Sequence, residues 1–133
     1  ALRDGGPSKG APMFLHGYAI PTPRPAPAEL GIGPWLLPSV QAYGIPEIDY
    51  EAVDALLIGR LGKLLASCAA DVARYPNLHF FDTAQIPVLR AAKGSTGESG
   101  DWINEIHLNR DGCRKLAVPW AAEIERVIVA QRG

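Results

Sequence analysis

Proline is concentrated in one part of this chain and limits what that part can form. Seven of the 12 prolines lie within residues 20–46, and four of these occupy alternate positions over residues 21–27. Because proline lacks a backbone N–H and fixes φ, regular helix and strand pairing are largely excluded there. Linkers are poor in large apolar residues, whereas this segment contains Trp35 and Leu36. We therefore predict a surface excursion that packs in part as a lid or pocket wall, with a short helical turn near 34–42; a plain linker is the alternative.

The clearest periodic signal follows, over residues 49–74. Apolar residues recur there at the three- and four-residue intervals that are typical of an amphipathic helix: Val53, Leu57, Leu61, Leu64, Cys68 and Val72. Asp49 is a candidate N-cap, and Pro76 prevents the helix from continuing. We predict that this apolar stripe faces the core, with Gly59 and Gly62 permitting close packing on a sheet.

Two short apolar runs flank this helix, at residues 12–18 and 77–82. Their length and their Gly and Pro borders favour buried strands. A strand, a connection containing a helix and a second strand make a parallel unit. The sequence thus predicts one α/β domain over residues 1–133, a small mainly parallel sheet flanked by helices, with a flexible start at 1–10. We predict that a last helix is kinked or divided at Pro119.

Composition narrows the classes of function. The 47% hydrophobic and 20% charged content is ordinary for a soluble globular domain, and a net charge of −1 gives no electrostatic reason to bind nucleic acid or an anionic membrane. No run approaches the roughly 18 apolar residues of a membrane span, and nothing resembles a signal peptide, so the compartment stays open. We interpret Cys68 and Cys113 as reduced, and no motif indicates a metal or another cofactor.

Reactive side chains gather just before the last predicted helix. His107 lies between a polar Gly/Ser loop at 92–100 and a helix whose predicted N-cap is Asn109. A histidine between a flexible loop and a rigid helix is well placed to act as a base. The alternative is a histidine that closes the loop by hydrogen-bonding to backbone. Asp101 and Glu105 could mimic a glycosidase dyad, but we interpret them as a solvated loop edge.

The same region resembles a known family. The pattern D-W-x-N-E-I-H-x-x-x-x-G-x-x-K-L-A at 101–117 resembles the last conserved block of the SGNH (GDSL-type) hydrolases, serine esterases and lipases of flavodoxin-like fold. The run F-L-H-G-Y-A-I-P-T-P-R at 14–24 is similar to a strand and loop of one branch of that family. The run H-F-F-D-T at 79–83 is similar to its last strand. These matches follow the family's order along the chain.

The resemblance implies roles for three candidate site residues. His107 takes the place of the general base, and Asn104, three positions earlier, takes the place of the usual aspartate. Asp101 is the nearest acidic residue before Asn104. An amide can orient an imidazole but cannot neutralise an imidazolium. We predict that Asn104 or a backbone carbonyl, and not Asp101, contacts the His107 ring. We also predict that His107 shares a cleft at the carboxyl end of the sheet with Asp82 and the proline-rich excursion.

The nucleophile of that family is missing from this sequence. Neither its G-D-S turn nor a G-x-N-D block occurs in the 133 residues, so the resemblance covers only the carboxyl-terminal portion of the domain. It implies an ester hydrolase, acting on a small ester, whose serine lies elsewhere. We predict that the chain alone is inactive, and that it forms a homo-oligomer or joins a complementing chain because one strand edge would otherwise be unpaired. A non-catalytic binding or assembly module, or a fragment of a longer enzyme, are the alternatives.

Overall fold

The computed structural model describes residues 6–131, and these residues form an α/β structure, as predicted. The strands and helices are β1 (Met13–His16), β2 (Leu78–Phe81), α1 (Leu36–Ala42), α2 (Tyr50–Ala70) and α3 (Arg110–Ala130). Short 3-10 turns lie at Glu29–Gly31, Glu47–Asp49 and Thr83–Gln85. Of the predicted flexible start, residues 1–5 lie outside the described residues, while residues 6–10 form turns in which the Lys9 N–H donates to the Gly6 carbonyl at 3.0 Å.

The two strands pair in parallel, as predicted. Met13 lies opposite Leu78, and His16 lies opposite Phe81. Side chains alternate between the two faces of the sheet. On one face the His16 ring lies 4.4 Å from the ring of Trp120 on α3. On the other face Phe80 borders a hollow that α2 also lines. A helix therefore lies against each face, and the carboxyl ends of both strands meet at one edge. The prediction of buried strands is wrong, because β2 is only half-buried and Met13 and His16 of β1 are exposed.

Helix α2 approaches the sheet through a different face from the predicted one. Leu57, Leu61 and Leu64 are 55%, 41% and 60% exposed, so the middle of the predicted core stripe lies in solvent. Only Val53 and Cys68, near its ends, are half-buried. A continuous stripe of buried and half-buried positions lies one step around the helix: Asp54, Ile58, Gly62, Leu65 and Ala69. The helix is apolar on both of these faces, so periodicity alone could not choose between them. Of the two glycines predicted to permit close packing, only Gly62 lies near another element. A Cβ at Gly62 would lie 3.8 Å from the Asp82 carboxylate, whereas one at Gly59 would meet nothing within 4 Å.

Buried side chains concentrate in the loops at the carboxyl end of the sheet. Within the proline-rich excursion Thr22 and Ala26 are buried, and across from it Trp102 is fully buried against Ala19 and Ala91. The prediction that this excursion packs is therefore confirmed for its first half, and a plain linker does not describe it. Its predicted helical turn is α1.

Glu105 is buried completely and holds α1 in place. Its carboxylate accepts hydrogen bonds from the backbone N–H groups of Leu36 and Leu37, both at 2.7 Å, and also from that of Trp35. A carboxylate at a helix N-terminus satisfies N–H groups that lack partners within the helix and favours its dipole. The interpretation of Glu105 as a solvated loop residue is therefore wrong. Its role in a carboxylate dyad is also excluded by these bonds.

Arg24 is the buried cation beside Glu105. Its backbone N–H donates to Glu105 at 3.2 Å, and its guanidinium donates to the carbonyls of Asn104 at 2.7 Å and Ser95 at 3.2 Å. The Ser95 hydroxyl accepts a further bond at 2.9 Å. Arg24 thus connects the excursion to the Gly/Ser loop and to the segment that carries His107.

The predicted N-cap of α3 is confirmed. The side-chain oxygen of Asn109 accepts from the backbone N–H groups of Asp111 at 3.1 Å and Gly112 at 3.0 Å. Asp49 occupies the N-cap position of α2, as predicted, but makes no side-chain capping bond. The last helix is not divided at Pro119, since α3 continues through this residue as one element. Among residues 6–131, no helix combines the length and apolar character that a membrane crossing needs.

Asp54 is a buried acid on the inner face of α2. It is 2% exposed, and its Oδ2 has no hydrogen-bond partner among the described residues. Burial is the main cause that raises the pKa of Asp54 from 3.8 to about 6; the charge of Arg90 opposes this rise, and that of Glu105 adds to it. The protonated form is therefore the one that the fold favours.

We expect the neutral isostere Asp54→Asn to change how stability depends on pH. Because the folded pKa lies above the unfolded value, the contribution of Asp54 is fully present below about pH 4 and is lost as pH rises through about 6. The variant should gain about 2 kcal/mol relative to wild type at about pH 7.5 and nothing at about pH 4. Urea unfolding across this range measures it, with the exposed Asp49→Asn as the matched control. Parallel pH profiles for wild type and Asp54→Asn would contradict this expectation.

Candidate active site at the carboxyl end of the sheet

His107 is held by the side chain of Asn104, as predicted. The ring nitrogen Nδ1 lies 3.1 Å from Asn104 Oδ1, which also accepts from the backbone N–H groups of Ile106 at 3.1 Å and His107 at 2.9 Å. Two backbone donors identify this atom as the amide oxygen, so Nδ1 must carry the proton that the ring donates to it. The other ring nitrogen, Nε2, then has a free lone pair. That tautomer is the one a general base requires.

Asp101 is engaged away from the ring. Its carboxylate is buried and accepts from Lys115 Nζ at 2.6 Å and from the Leu89 backbone N–H at 2.5 Å. The hydrogen bond from Lys115 is the main cause that holds the pKa of Asp101 below its usual range. Asp101 therefore fixes the loop against α3. As expected, it is not the partner of His107, so its place among the catalytic candidates has no geometric support.

His107 lies on the rim of a cavity of about 240 Å³. The floor is formed by buried residues that follow the two strands or belong to the loop before α3: Gly17, Ala19, Thr83 and Trp102. The rim is formed by exposed residues: His16, His107, Cys113 and Ala117. Because Gly17 follows β1 and Thr83 follows soon after β2, this cavity opens at the carboxyl end of the sheet, as we predicted for His107.

The rest of that prediction is confirmed for the proline-rich excursion and wrong for Asp82. The excursion does reach His107, since the Trp35 ring meets the His107 ring edge-on with centroids 5.9 Å apart and planes at 85°. Asp82 does not share the cavity. Its carboxylate accepts from the Ala84 backbone N–H at 3.1 Å and lines a separate hollow beside α2. Asp82 lies on the same side of the sheet as Phe80, because side chains alternate along an extended chain, and Thr83 therefore faces the cavity.

Most of the cavity wall was not predicted from the sequence. Tyr18, Trp102 and Trp120 contribute aromatic surface from three separate parts of the chain. The local patterns around them indicate only a strand end, a loop and a helix stripe. The signal that could have found part of this wall is His16 at the carboxyl end of β1, since its ring contacts Trp120.

A serine nucleophile beside His107 is not found within residues 6–131. None of the serines in that range lines the cavity; the hydroxyl and thiol groups that do belong to Tyr18, Thr83 and Cys113. The Tyr18 hydroxyl donates to the Ile106 carbonyl, and Cys113 Sγ lies 3.7 Å from the Leu108 carbonyl. Within the same range, no three or more His, Cys, Asp or Glu side chains are grouped so that they could hold a metal ion.

No protein-family model, curated protein or solved structure matches this chain.

Proposed function

We propose that this chain supplies the general-base side of an ester-hydrolase active site of the SGNH type. The observation that carries the proposal is the contact of 3.1 Å between Asn104 Oδ1 and His107 Nδ1, from which the tautomer follows. Asn104 fixes the proton on Nδ1, and Nε2 is left free on the rim of an apolar cavity at the carboxyl end of a parallel sheet. The order of the resembling motifs along the chain supports the same assignment.

The reaction requires a serine from outside these 133 residues. As its hydroxyl oxygen attacks the ester carbonyl, His107 Nε2 accepts the hydroxyl proton and then delivers it to the departing alcohol. Water then attacks the acyl-serine ester, and His107 Nε2 accepts its proton. The proton passes to the serine oxygen as the carboxylic acid leaves. Asn104 orients the ring but leaves the imidazolium without a neutralising carboxylate, so the base is weaker than in an aspartate-supported site.

The chain also carries surface that suits a partner. Its accessible area is 8593 Å², whereas a compact monomer of its mass exposes roughly 6,800 Å². The excess is larger than the roughly 800 Å² that each partner buries in a standard interface. It includes the leucine face of α2 (Leu56, Leu57, Leu61 and Leu64) and the free edge of β1. We propose that a second copy or a complementing chain covers these surfaces, and that the serine comes from a complementing chain.

The activity test compares two forms of the protein with a short-chain nitrophenyl ester. A polypeptide that also contains the proposed serine segment, or the assembly of this chain with the complementing chain, should hydrolyse the ester. In that form His107→Ala should lower kcat about 100-fold or more. His79→Ala is the matched control, because its ring bonds Asn77 and stacks on Phe14, outside the cavity. The isolated chain should show no turnover. Activity that survives His107→Ala, or an inactive complete assembly, would overturn the proposal.

The assembly is measured by sedimentation. We expect the isolated chain to sediment as a dimer or larger species, and a triple Lys substitution at Leu57, Leu61 and Leu64 to produce monomers because charges oppose burial of that face. Val118→Lys on α3 is the control, since this side chain is 65% exposed and lies outside the leucine face. A wild-type chain that sediments as a stable monomer contradicts self-association and leaves the complementing chain to be sought by co-purification.

A non-catalytic binding module is the second candidate. It is favoured by one observation, which is that no serine among residues 6–131 lines the cavity. This candidate predicts ligand binding in the cavity without ester turnover in any assembly. The activity assay on the complete polypeptide separates the two.

A further inference from the structure

Two cations lie on the leucine face of α2, and no carboxylate accompanies them. The four leucines of this face are between 41% and 60% exposed. Arg60 is exposed and lies three or four positions from three of these leucines: Leu56, Leu57 and Leu64. Residues at this spacing are neighbours on the surface of a helix. Lys63, also exposed, lies three positions beyond Arg60. Because residues 55–68 contain no Asp or Glu, the face is both apolar and positively charged.

Neither cation is neutralised within the part of the chain that the structure describes. The ion pairs found there involve other cations: Arg90, Lys93, Lys115 and Arg126. A charge beside an apolar contact favours a partner that brings the opposite charge and disfavours one that brings the same charge. The surface that covers the leucines should therefore be apolar and should carry carboxylates opposite Arg60 and Lys63.

A second copy of this chain meets that requirement poorly. In a twofold dimer the residues near the axis face their own copies. When the leucine faces of two copies meet about such an axis, Arg60 lies close to it, because this residue is midway between Leu56 and Leu64. The two guanidinium groups then lie near each other, and like charges oppose association. Self-association through this face is therefore weaker than its apolar area alone implies.

An anionic membrane surface is also a poor match. Each Lys or Arg near such a surface strengthens binding by a factor of only about five, and this face offers two. The segment just before the face carries three carboxylates: Glu47, Asp49 and Glu51. With a net charge of −1 for the whole chain, there is no general attraction to negative headgroups.

We propose that the leucine face of α2 binds an amphipathic helix of a partner protein, with Asp or Glu side chains beside its apolar stripe that pair with Arg60 and Lys63. Helices pack by inserting the side chains of one into the grooves of the other. The leucines extend over about 12 Å along α2, which matches two to three turns of such a helix. In assigning this helix to the complementing chain, the inference rests on the proposed function. The binding itself does not depend on ester hydrolysis.

The test is a titration of the 133-residue chain with two synthetic helical peptides that differ only in charge. Both carry leucines at three- and four-residue spacing; one has glutamates beside the leucine stripe, and the other has lysines at the same positions. Binding is followed by fluorescence anisotropy of the labelled peptide at low ionic strength. The acidic peptide should bind at least about tenfold more tightly, and the ratio should fall towards one at high salt. Equal affinities at low salt, or tighter binding of the basic peptide, would overturn the proposal.

Charge reversal locates the peptide on α2. The double variant Arg60→Glu, Lys63→Glu should bind the basic peptide more tightly than the acidic one. The matched control is Arg110→Glu, Arg114→Glu on α3, which changes the net charge of the chain equally at exposed positions and should leave the acidic peptide preferred. If the α2 variant retains the preference of wild type, the cations of the leucine face do not select the partner and the inference fails.

The apolar half of the contact is tested by removing leucine side chains without adding charge. Leu57→Ala together with Leu61→Ala preserves the helix preference of α2 and should weaken the acidic peptide about tenfold or more. A scrambled acidic peptide without the leucine stripe should bind wild type equally weakly. Unchanged affinity for the acidic peptide in this variant would show that the leucines do not form its site.

Sedimentation separates the helix from the other two occupants. The acidic peptide should convert self-associated chain into a complex of one chain and one peptide. Rising salt should strengthen self-association and weaken peptide binding, because screening reduces both the repulsion between copies and the attraction to the peptide. If the acidic peptide leaves the assembly intact, or if anionic lipid vesicles bind the leucine face more tightly than the peptide does, the proposal is overturned.

The outcomes distinguish this inference from the proposed function. Selective binding of the acidic peptide without hydrolysis in any assembly supports the inference and overturns the enzyme. Hydrolysis that depends on His107, in an assembly whose complementing chain leaves the leucine face uncovered, supports the enzyme and overturns the inference.

Discussion

Glu105→Gln is expected to lower the free energy of unfolding by about 3 kcal/mol. The substitution keeps the size of the side chain but removes the charge that faces Arg24 and replaces one acceptor oxygen with a donor. The N–H groups of Leu36 and Leu37 then compete for a single oxygen. A buried N–H without a partner costs about 1–3 kcal/mol, and the buried Arg24 loses a favourable charge interaction with Glu105.

Urea unfolding followed by circular dichroism measures this loss. Glu125→Gln on α3 is the control, because this glutamate is exposed and an exposed substitution should change stability by no more than about 0.5 kcal/mol. The fluorescence of Trp35 should also change in the Glu105 variant, since the backbone N–H of Trp35 is one of the groups released. Equal unfolding midpoints for the two variants would show that Glu105 does not hold α1.

Gly112→Ala is expected to destabilise the fold by about 3 kcal/mol. Gly112 lies in the first turn of α3, and a Cβ there would lie 2.4 Å from the Asp101 carbonyl oxygen and 2.9 Å from Leu108. The shorter contact is with backbone, which cannot turn aside as a side chain can, so the loop must move away from the helix. That loop carries Asn104 and His107. Loss of stability should therefore be accompanied by a change in the NMR signals of the His107 ring.

Gly59→Ala on α2, in contrast, is expected to stabilise the chain. Nothing lies within 4 Å of the position that the new methyl group would occupy, so the helix preference of alanine should act alone and stabilise the chain by about 0.5–1 kcal/mol. Both variants are read from the same unfolding curves. A Gly112→Ala chain as stable as Gly59→Ala would mean that the loop and α3 are not in close contact.

Local signals predicted the elements that depend on neighbours in sequence. The Asn109 cap needs only the two following N–H groups, and the contact of Asn104 with His107 spans three residues. Glu105 could not be predicted in the same way. Its partners on α1 are about 70 positions away, and a glutamate in a polar loop ordinarily lies in solvent. The cavity wall has the same property, because Tyr18, Trp102 and Trp120 meet only after the chain has folded.

The face of α2 was mispredicted for another reason. Hydrophobic periodicity finds the most apolar direction around a helix, and it assumes that this direction points inward. Here the smaller residues Gly62 and Ala69 face the rest of the chain, and Leu57, Leu61 and Leu64 face outward. The assumption fails when a helix has two apolar faces and only one of them is covered by the same chain.

The outward leucines also affect how a lone copy of the chain responds to denaturant and temperature. Leu56, Leu57, Leu61 and Leu64 already contact water in the folded state, so unfolding exposes less new apolar surface than the length of the chain suggests. The slope of unfolding free energy against urea concentration scales with that newly exposed surface. The heat capacity change does so as well, and it determines the curvature of stability against temperature. An isolated copy should thus unfold over a broad urea range and have an unusually flat curve of stability against temperature. Covering the leucines should narrow the urea transition and increase the curvature.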